Sequence, residues 1–508
     1  MNFVNSQLFK DVQLAEVFAD SKMFADAVPN LSWQSACELY QLVGPLKGDA
    51  LREFVMSNFV FADQSIPTAK LDTTSVKQYI LDLWPHLHRN ADTDLASSLM
   101  PLQFDYIVPG GRFQEIYYWD SYFTALGLED CGDLATIEAM VNNFIDLQER
   151  NGCIPNGNRV YYSSRSQPPV LALMIAMLWD AKYKHEADLT WLANAVKALE
   201  AEYQFWMQGC NDLSSETPAI RRVVKMPNKA ILNRYWDSAA TPRPESLKED
   251  LHDAEELTTE QQQSYFQHIR AACESGWDFS SRWLCDHDDL KSIETTNIIP
   301  VDLNSLLYNL EHTLSRFYRL LGEEQKSQSI AELATLRLDA INTYCWNSEA
   351  GVYRDYNIRL NQQSSVDSMA MAVPLFVGAA SVQQAQQVKQ KLMSEFLKPG
   401  GLVTTLCSTP QQWDSPNGWA PLQWFAVKGL TEYGFVSEAQ AIMKNWLSMI
   451  EMRFAEDKCL LEKYNVCELV SRAGGGEYTV QQGFGWTNGV TSVFTHYSMT
   501  RCKRGDAV

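Results

Sequence analysis

Long apolar runs are missing from this 508-residue chain. The longest, Met369–Ala380, is too short to cross a bilayer and contains Pro374. The first twenty residues carry Lys10, Asp11, Glu16 and Asp20 where a secretory leader needs an uninterrupted apolar segment, so the expectation is a cytoplasmic protein. Positive charge is scarce as well. With 42 basic against 62 acidic side chains, the net charge of −20 repels phosphate backbones and anionic headgroups, which argues against nucleic acid and membranes as partners.

The eleven cysteines include no C-x-x-C pair and are odd in number, which excludes a regular disulfide framework and a structural zinc site. Cys285-Asp286-His287-Asp288-Asp289 is rich in ligand types, yet consecutive residues cannot all converge on one ion, and a solvated loop is the expectation. H-E-x-x-H, G-x-G-x-x-G and G-x-x-x-x-G-K-[ST] are absent, so zinc-protease and nucleotide chemistry lose their usual signatures. Neither metal nor cofactor is expected.

What the chain does have is helical periodicity. Leu303, Leu306, Leu307, Leu310, Leu314, Phe317 and Leu321 form one stripe at three- and four-residue steps, and Gly322 follows where a helix would end. Similar patterns recur near 137–144, 170–182, 190–208, 328–345, 383–396, 419–431, 438–454 and 486–499, with more apolar runs at 33–43, 74–87, 120–128, 262–273 and 367–377. Between them lie long segments, 100–119, 150–169, 210–247, 274–300, 398–418 and 457–485, rich in Gly, Pro, Trp, Tyr, Arg and Asn. Loops of that length in a compact fold are usually functional or disordered, and their aromatic content argues against disorder. Helical hairpins in a ring, with the loops converging at one mouth, fit this pattern.

The loops also hold the chemistry. Without a nucleophile elbow or a metal set, carboxylates beside aromatics are the default catalytic candidates. Carbohydrate sites have this composition, since aromatic faces pack on sugar rings while Asp, Glu, Asn, Gln and Arg bond the hydroxyls. The strings are Pro109-Gly110-Gly111-Arg112-Phe113-Gln114-Glu115-Ile116-Tyr117-Tyr118-Trp119-Asp120; Asn156 with Arg165-Ser166-Gln167-Pro168-Pro169; Arg243-Pro244-Glu245-Ser246; Gly276-Trp277-Asp278-Phe279; Gln412-Trp413-Asp414 through Trp419; Glu462-Lys463-Tyr464; and Gly474-Gly475-Gly476-Glu477-Tyr478.

P-G-G-R-F-x-E-x-Y-x-W-D-x-Y from Pro109 and Q-W-D-x-P-x-G-W-A-P from Gln412 resemble the two signatures of the trehalases of glycoside hydrolase family 37. The other strings resemble that family's remaining blocks in the same order, from about residue 100 to 495. The resemblance implies an all-α (α/α)6 barrel that hydrolyses α,α-trehalose to two glucose molecules, with inversion and no cofactor; a monomer is expected. It puts the general acid on Asp278 and the general base on Glu462. It lines the pocket with Arg112, Phe113, Trp119, Asp120, Asn156, Arg165, Ser166, Gln167, Arg243, Pro244, Glu245, Gly276 and Glu477. The expected domains are an N-terminal helical extension packed on the barrel (1–99), since the first hundred residues have short helices and few of the long loops, the catalytic barrel (100–499) and a frayed polar tail (500–508) around Arg501, Cys502, Lys503 and Arg504. Asn465 stands where many members have Asp in E-K-Y-D, and Ser471-Arg472-Ala473 replaces part of a glycine-rich lid.

Simpler roles compete for the same residues. Asp278 could cap a helix starting at Phe279, Glu462 could be a solvated partner of Lys463, and Arg112, Arg165 and Arg243 could be ion-pair partners of Glu115, Asp120 and Glu245. Another inverting α-glycosidase or a sugar phosphorylase on the same barrel is the alternative activity, because fold does not fix substrate.

Overall fold

Six helices pack each on the next around a closed ring in the computed structural model, which describes residues 3–61, 71, 73–91 and 97–505. In chain order they are Tyr118–Asp130, Leu171–Leu178, Val301–Leu320, Val373–Phe376, Ala420–Glu432 and Gly485–Gly505, and the last returns to the first. Val76–Leu87 precedes the first of them, and between them in sequence run Leu134–Asn151, Leu189–Trp206, Glu324–Tyr344, Val382–Lys391 and Val436–Asp457. This alternation of inner and outer helices is an (α/α)6 barrel.

Burial explains why some helices show a stripe in the sequence and others only an apolar run. Glu324–Tyr344 buries Ile330, Ala334, Arg337, Ile341 and Tyr344 along one stripe, whereas Tyr118–Asp130 is buried at every position from Tyr118 to Leu128. The ring is sealed where Tyr118–Asp130 meets Gly485–Gly505. A Cβ on Gly489 would lie 2.1 Å from Phe123 O, so only glycine admits this backbone approach.

Strands are short and antiparallel. Asn417–Gly418 pairs with Tyr464–Asn465, with Asn417 opposite Asn465 and Gly418 opposite Tyr464, which joins two of the loop segments singled out above. The ribbon Ala219–Ile220, Val223–Lys225 and Ile231–Asn233 and the helix Thr259–Ser275 form an insertion between ring helices.

The apolar interior has two parts. One follows the ring and includes residues from Leu71 onward. The other joins Phe3, Phe9, Phe24, Tyr40, Phe54 and Phe59 to Tyr117, Tyr161 and Tyr162 of the barrel loops. Helices Gln7–Leu14 and Gly48–Asn58 of this second cluster lacked a clear pattern in the sequence. At the other end, the last helix continues through the stretch 501–504 expected as a frayed tail, and residues 506–508 lie outside the described ones. Among the described residues no helix is long and apolar enough to cross a membrane.

Candidate active site

The loops converge on a cavity of about 660 Å³, its opening to solvent included, lined by Asp278, Glu462 and side chains from each of the loop segments listed above. Asp278 arrives there because helix Thr259–Ser275 stops at Gly276, whose φ of +74° is the left-handed turn that ends many helices. A Cβ at Gly276 would come within 2.7 Å of Trp119, so the glycine also lets the chain pass that ring. The turn Gln412-Trp413-Asp414 then clamps the segment. Gln412 Nε2 donates to Asp278 O (2.5 Å), Trp413 N donates to Phe279 O (3.0 Å), and Trp277 stacks on Trp413, which stacks on Trp419 at 3.8 Å. Buried Asp414 accepts from Ser280 Oγ (2.9 Å), Ser281 N (2.7 Å), Ser281 Oγ (2.8 Å), Thr405 Oγ1 (2.8 Å) and Thr409 Oγ1 (2.6 Å). Behind it Arg282 lies between Trp277 and Trp283 and pairs with Asp302 and Asp355.

The Asp278 carboxyl itself receives no hydrogen bond from another side chain among the described residues. Burial pushes its pKa up to about 7; Arg243 opposes that rise and the Glu477 charge adds to it. It does not cap a helix: the short turn Ser281–Trp283 is capped by Ser280.

Glu462 is met differently. Its Oε1 accepts from Tyr478 Oη (2.7 Å), and its backbone is held by Gln481 O and by Trp486 Nε1 (2.9 Å each). Burial raises its pKa, while Lys463 and the Tyr478 hydroxyl pull it back. Lys463 is not solvated. Its ammonium donates to Gln412 Oε1 (2.5 Å) and Gly475 O (3.2 Å) and is itself held below the usual lysine range by burial. Asp120, which has no ion-pair partner among the described residues, is pushed well above the usual carboxylate range by burial and, secondarily, by Glu462 and Asp278.

The arginines face the same space from several loops. Arg165 Nη2 donates to Glu245 Oε1 (2.7 Å) and Nε to Asn156 Oδ1 (2.9 Å), yet Arg165 Nη1 and Glu245 Oε2 are buried without a hydrogen-bond partner among the described residues. Arg165 Nη1 has only an ion-pair contact with Asp237 at 3.6 Å, and a donor and an acceptor without hydrogen bonds beside a cavity are what a polyhydroxy ligand would satisfy. Arg243 pairs with Asp250 (2.5 Å) and with Glu477 (2.6 Å), and Arg112 with Asp20 (2.6 Å). Glu115 instead pairs with Lys22 and Arg159.

Of the residues expected at the site, two do not line the cavity. Ser166 turns its backbone N to Glu274 Oε1 (2.8 Å), and Pro244 O accepts from Gln13 (3.3 Å), so both serve the loops rather than the space. Phe113, Trp119, Asp120, Gln167 and Gly276 do line it, along with Ser246, Phe484 and Trp486, and with Tyr162 and Cys273, which the sequence did not mark. Tyr478 and Gln412 stood inside the noted strings without an assigned role; their hydrogen bonds to Glu462 and Asp278 appear only once the loops are folded.

An (α/α)6 ring whose aromatic mouth holds two carboxyls of opposed character defines a glycosidase, a member of the hydrolases. The Trehalase family model matches residues 18–498, and the chain belongs to that family. It is 41% identical over 485 residues to a periplasmic trehalase of Escherichia coli, covering 95% of this chain and 85% of the relative. Neutral trehalase Nth1 from Saccharomyces cerevisiae superposes with a TM-score of 0.62 at 27% identity, covering 77% of this chain and 73% of that one. A GH63 mannosylglycerate hydrolase from Thermus thermophilus shares the fold, with a TM-score of 0.56 at 16% identity over 83% of this chain and 100% of its own.

The expectation of a cytoplasmic protein is corrected by the Escherichia coli relatives, which are periplasmic. The charges that argued for it have another reason to be there. Asp11 accepts from Tyr40 and Asp20 grips Arg112, so this polar stretch is part of the folded wall.

Proposed function

We propose that this enzyme hydrolyses α,α-trehalose to two glucose molecules with inversion at the attacked carbon. Asp278 gives its proton to the bridging oxygen as the glycosidic bond breaks, and Glu462 takes a proton from the water that attacks the anomeric carbon from the opposite face. The released sugar leaves with Asp278's proton, the attacked sugar keeps the hydroxyl, and both carboxyls then re-equilibrate with solvent. The observation that carries this reading is the contrast of the two groups in one cavity. Asp278, without side-chain donors among the described residues and with a pKa near 7, is kept able to donate, whereas Glu462, beside Lys463 and bonded by Tyr478, is kept able to accept. Arg112, Arg165, Arg243, Glu245, Asn156 and Glu477 would hold the sugar hydroxyls, an assignment supported by Arg165 Nη1 and Glu245 Oε2, which have no hydrogen-bond partner among the described residues. In inverting enzymes the carboxyls stand about 6.5–9.5 Å apart so that water fits behind the sugar.

The reading extends to organisation. The enzyme works as a monomer, with an N-terminal extension, a catalytic barrel and a short tail. The packing of Val76–Leu87 on Gly485–Gly505 supports starting the barrel at that helix rather than at residue 100.

Purified enzyme given trehalose should release α- and β-glucose in equal amounts at early times by proton NMR, and its kcat/KM profile should fall on the basic side near pH 7 as Asp278 ionises. Early release of the α anomer alone would overturn inversion, and cleavage only with added phosphate would point to a phosphorylase.

A further inference from the structure

Arg112 follows Gly110 and Gly111, whose φ angles of +112° and +59° make a turn that places the residue without orienting its long side chain. Two contacts supply the orientation. One face of the guanidinium lies 4.5 Å from the Tyr478 ring centre, and its edge is forked by Asp20, with Nε to Oδ2 at 2.7 Å and Nη2 to Oδ1 at 2.6 Å. Nη1 makes no hydrogen bond to the described residues. Tyr478 in turn bonds Glu462. A line of direct contacts therefore runs from Asp20 through Arg112 and Tyr478 to Glu462.

Asp20 does not belong to the ring. It precedes the short helix Ser21–Ala25 in the second apolar cluster and is itself fixed, because its Oδ1 also accepts from Lys22 N (2.9 Å). The segment is seated by charges taken wholly out of water. Lys22 meets Glu115 (2.7 Å) and Asp26, and Arg159 meets both Glu115 (2.9 Å) and Asp26 (3.2 Å). Desolvated charges of this kind hold one geometry, because any slippage leaves one of them unpaired. Capping the helix uses one oxygen; the fork uses both, and it ends on a cavity arginine.

The geometry points to Asp20 as a positioning residue of the active site, one that holds the Arg112 guanidinium so that Nη1 is left for the substrate. The N-terminal segment is then a working wall of the pocket. This rests on the proposed reading of Arg112 as a sugar contact, and a planar fork is the arrangement in which an arginine is least free to turn.

A mutant cycle tests it with trehalose as substrate. Asp20→Asn should raise KM about tenfold and change kcat little, the pattern of lost ground-state binding, while Arg112→Ala should raise KM about a hundredfold. The double variant should be no worse than Arg112→Ala alone, since Asp20 acts only through Arg112. Asp20→Ser, which keeps a cap oxygen without the carboxylate, should repeat the Asn result, and Asp11→Asn, in the same segment but bonded to Tyr40, should leave KM unchanged. Additive effects, or an unchanged KM in folded Asp20→Asn while Arg112→Ala is impaired, overturn the inference. An unchanged KM in Arg112→Ala refutes the sugar contact itself, a different failure that takes the inference with it.

Discussion

Asp278 and Glu462 reach one cavity from unlike backbones. The segment carrying Asp278 is pinned from behind by Asp414, by the Trp277–Trp413–Trp419 stack and by Arg282 with its two aspartates, all buried. Glu462 is completed from the front by the loop that carries Glu477 and Tyr478, much of it exposed, with Gly475 and Gly476 in the left-handed region. Proton affinity follows the same division. On the Asp278 side enclosure raises it with little to oppose it but Arg243; on the Glu462 side enclosure raises it too, but Lys463 and the loop-borne Tyr478 hydroxyl pull it back. The difference teaches that the proposed acid is part of the scaffold, whereas the proposed base is finished only when its cover is seated.

The strongest break in this comparison comes from removing the carboxyls. Asp278→Asn should lose about 10³-fold or more in trehalose hydrolysis yet retain much of its action on a glucosyl fluoride, whose leaving group needs no proton; Glu462→Gln should lose both. The reverse pattern would exchange the roles. Next is the scaffold itself. Asp414→Ala strands four hydroxyl groups and a backbone N–H, so thermal unfolding should show about 3 kcal/mol or more of lost stability, with kcat down about a hundredfold. Because the effect runs through Asp278, the acidic limb of the pH profile should stay where it is.

Tyr478→Phe probes the other side and should cost about tenfold in kcat. The hydroxyl stabilises ionised Glu462, so losing it raises that pKa, and the acidic limb of kcat/KM should move to higher pH while the basic limb holds. Glu477→Gln has the complementary sign. It removes a negative charge that raises the Asp278 pKa, and the basic limb should move to lower pH. Titrating kcat/KM for both variants separates the two sides directly. The smallest effect belongs to Asn465→Asp. A like charge three residues from Glu462 would raise that group's pKa if it faced it, but Asn465 Oδ1 accepts from Cys467 N (3.1 Å) and Glu468 N (2.8 Å) in a turn of its own. The acidic limb should not move.

The ring was legible wherever a helix keeps one polar face, as Val301–Leu320 does, and the site was legible wherever its residues stand close together in sequence. What stayed hidden depends on distant partners. Nothing local tells that Asp20 meets Arg112, that Tyr478 meets Glu462, or that Ser166 and Pro244 turn away from the cavity, because each outcome is set by a loop elsewhere in the chain. The inner helix Tyr118–Asp130, buried on every side, offered a run without a stripe.

The seam where Gly489 meets helix Tyr118–Asp130 has a consequence for synthesis. The first and last inner helices are separated by most of the catalytic chain, and their close contact is what shuts the ring. A nascent chain still lacking its final helix is an open arc with an uncovered apolar inner wall. Closure must therefore wait until residues 485–505 have left the ribosome, and a chain stopped short of them is expected to depend on chaperones, because such long-range closure is slow and its precursors associate.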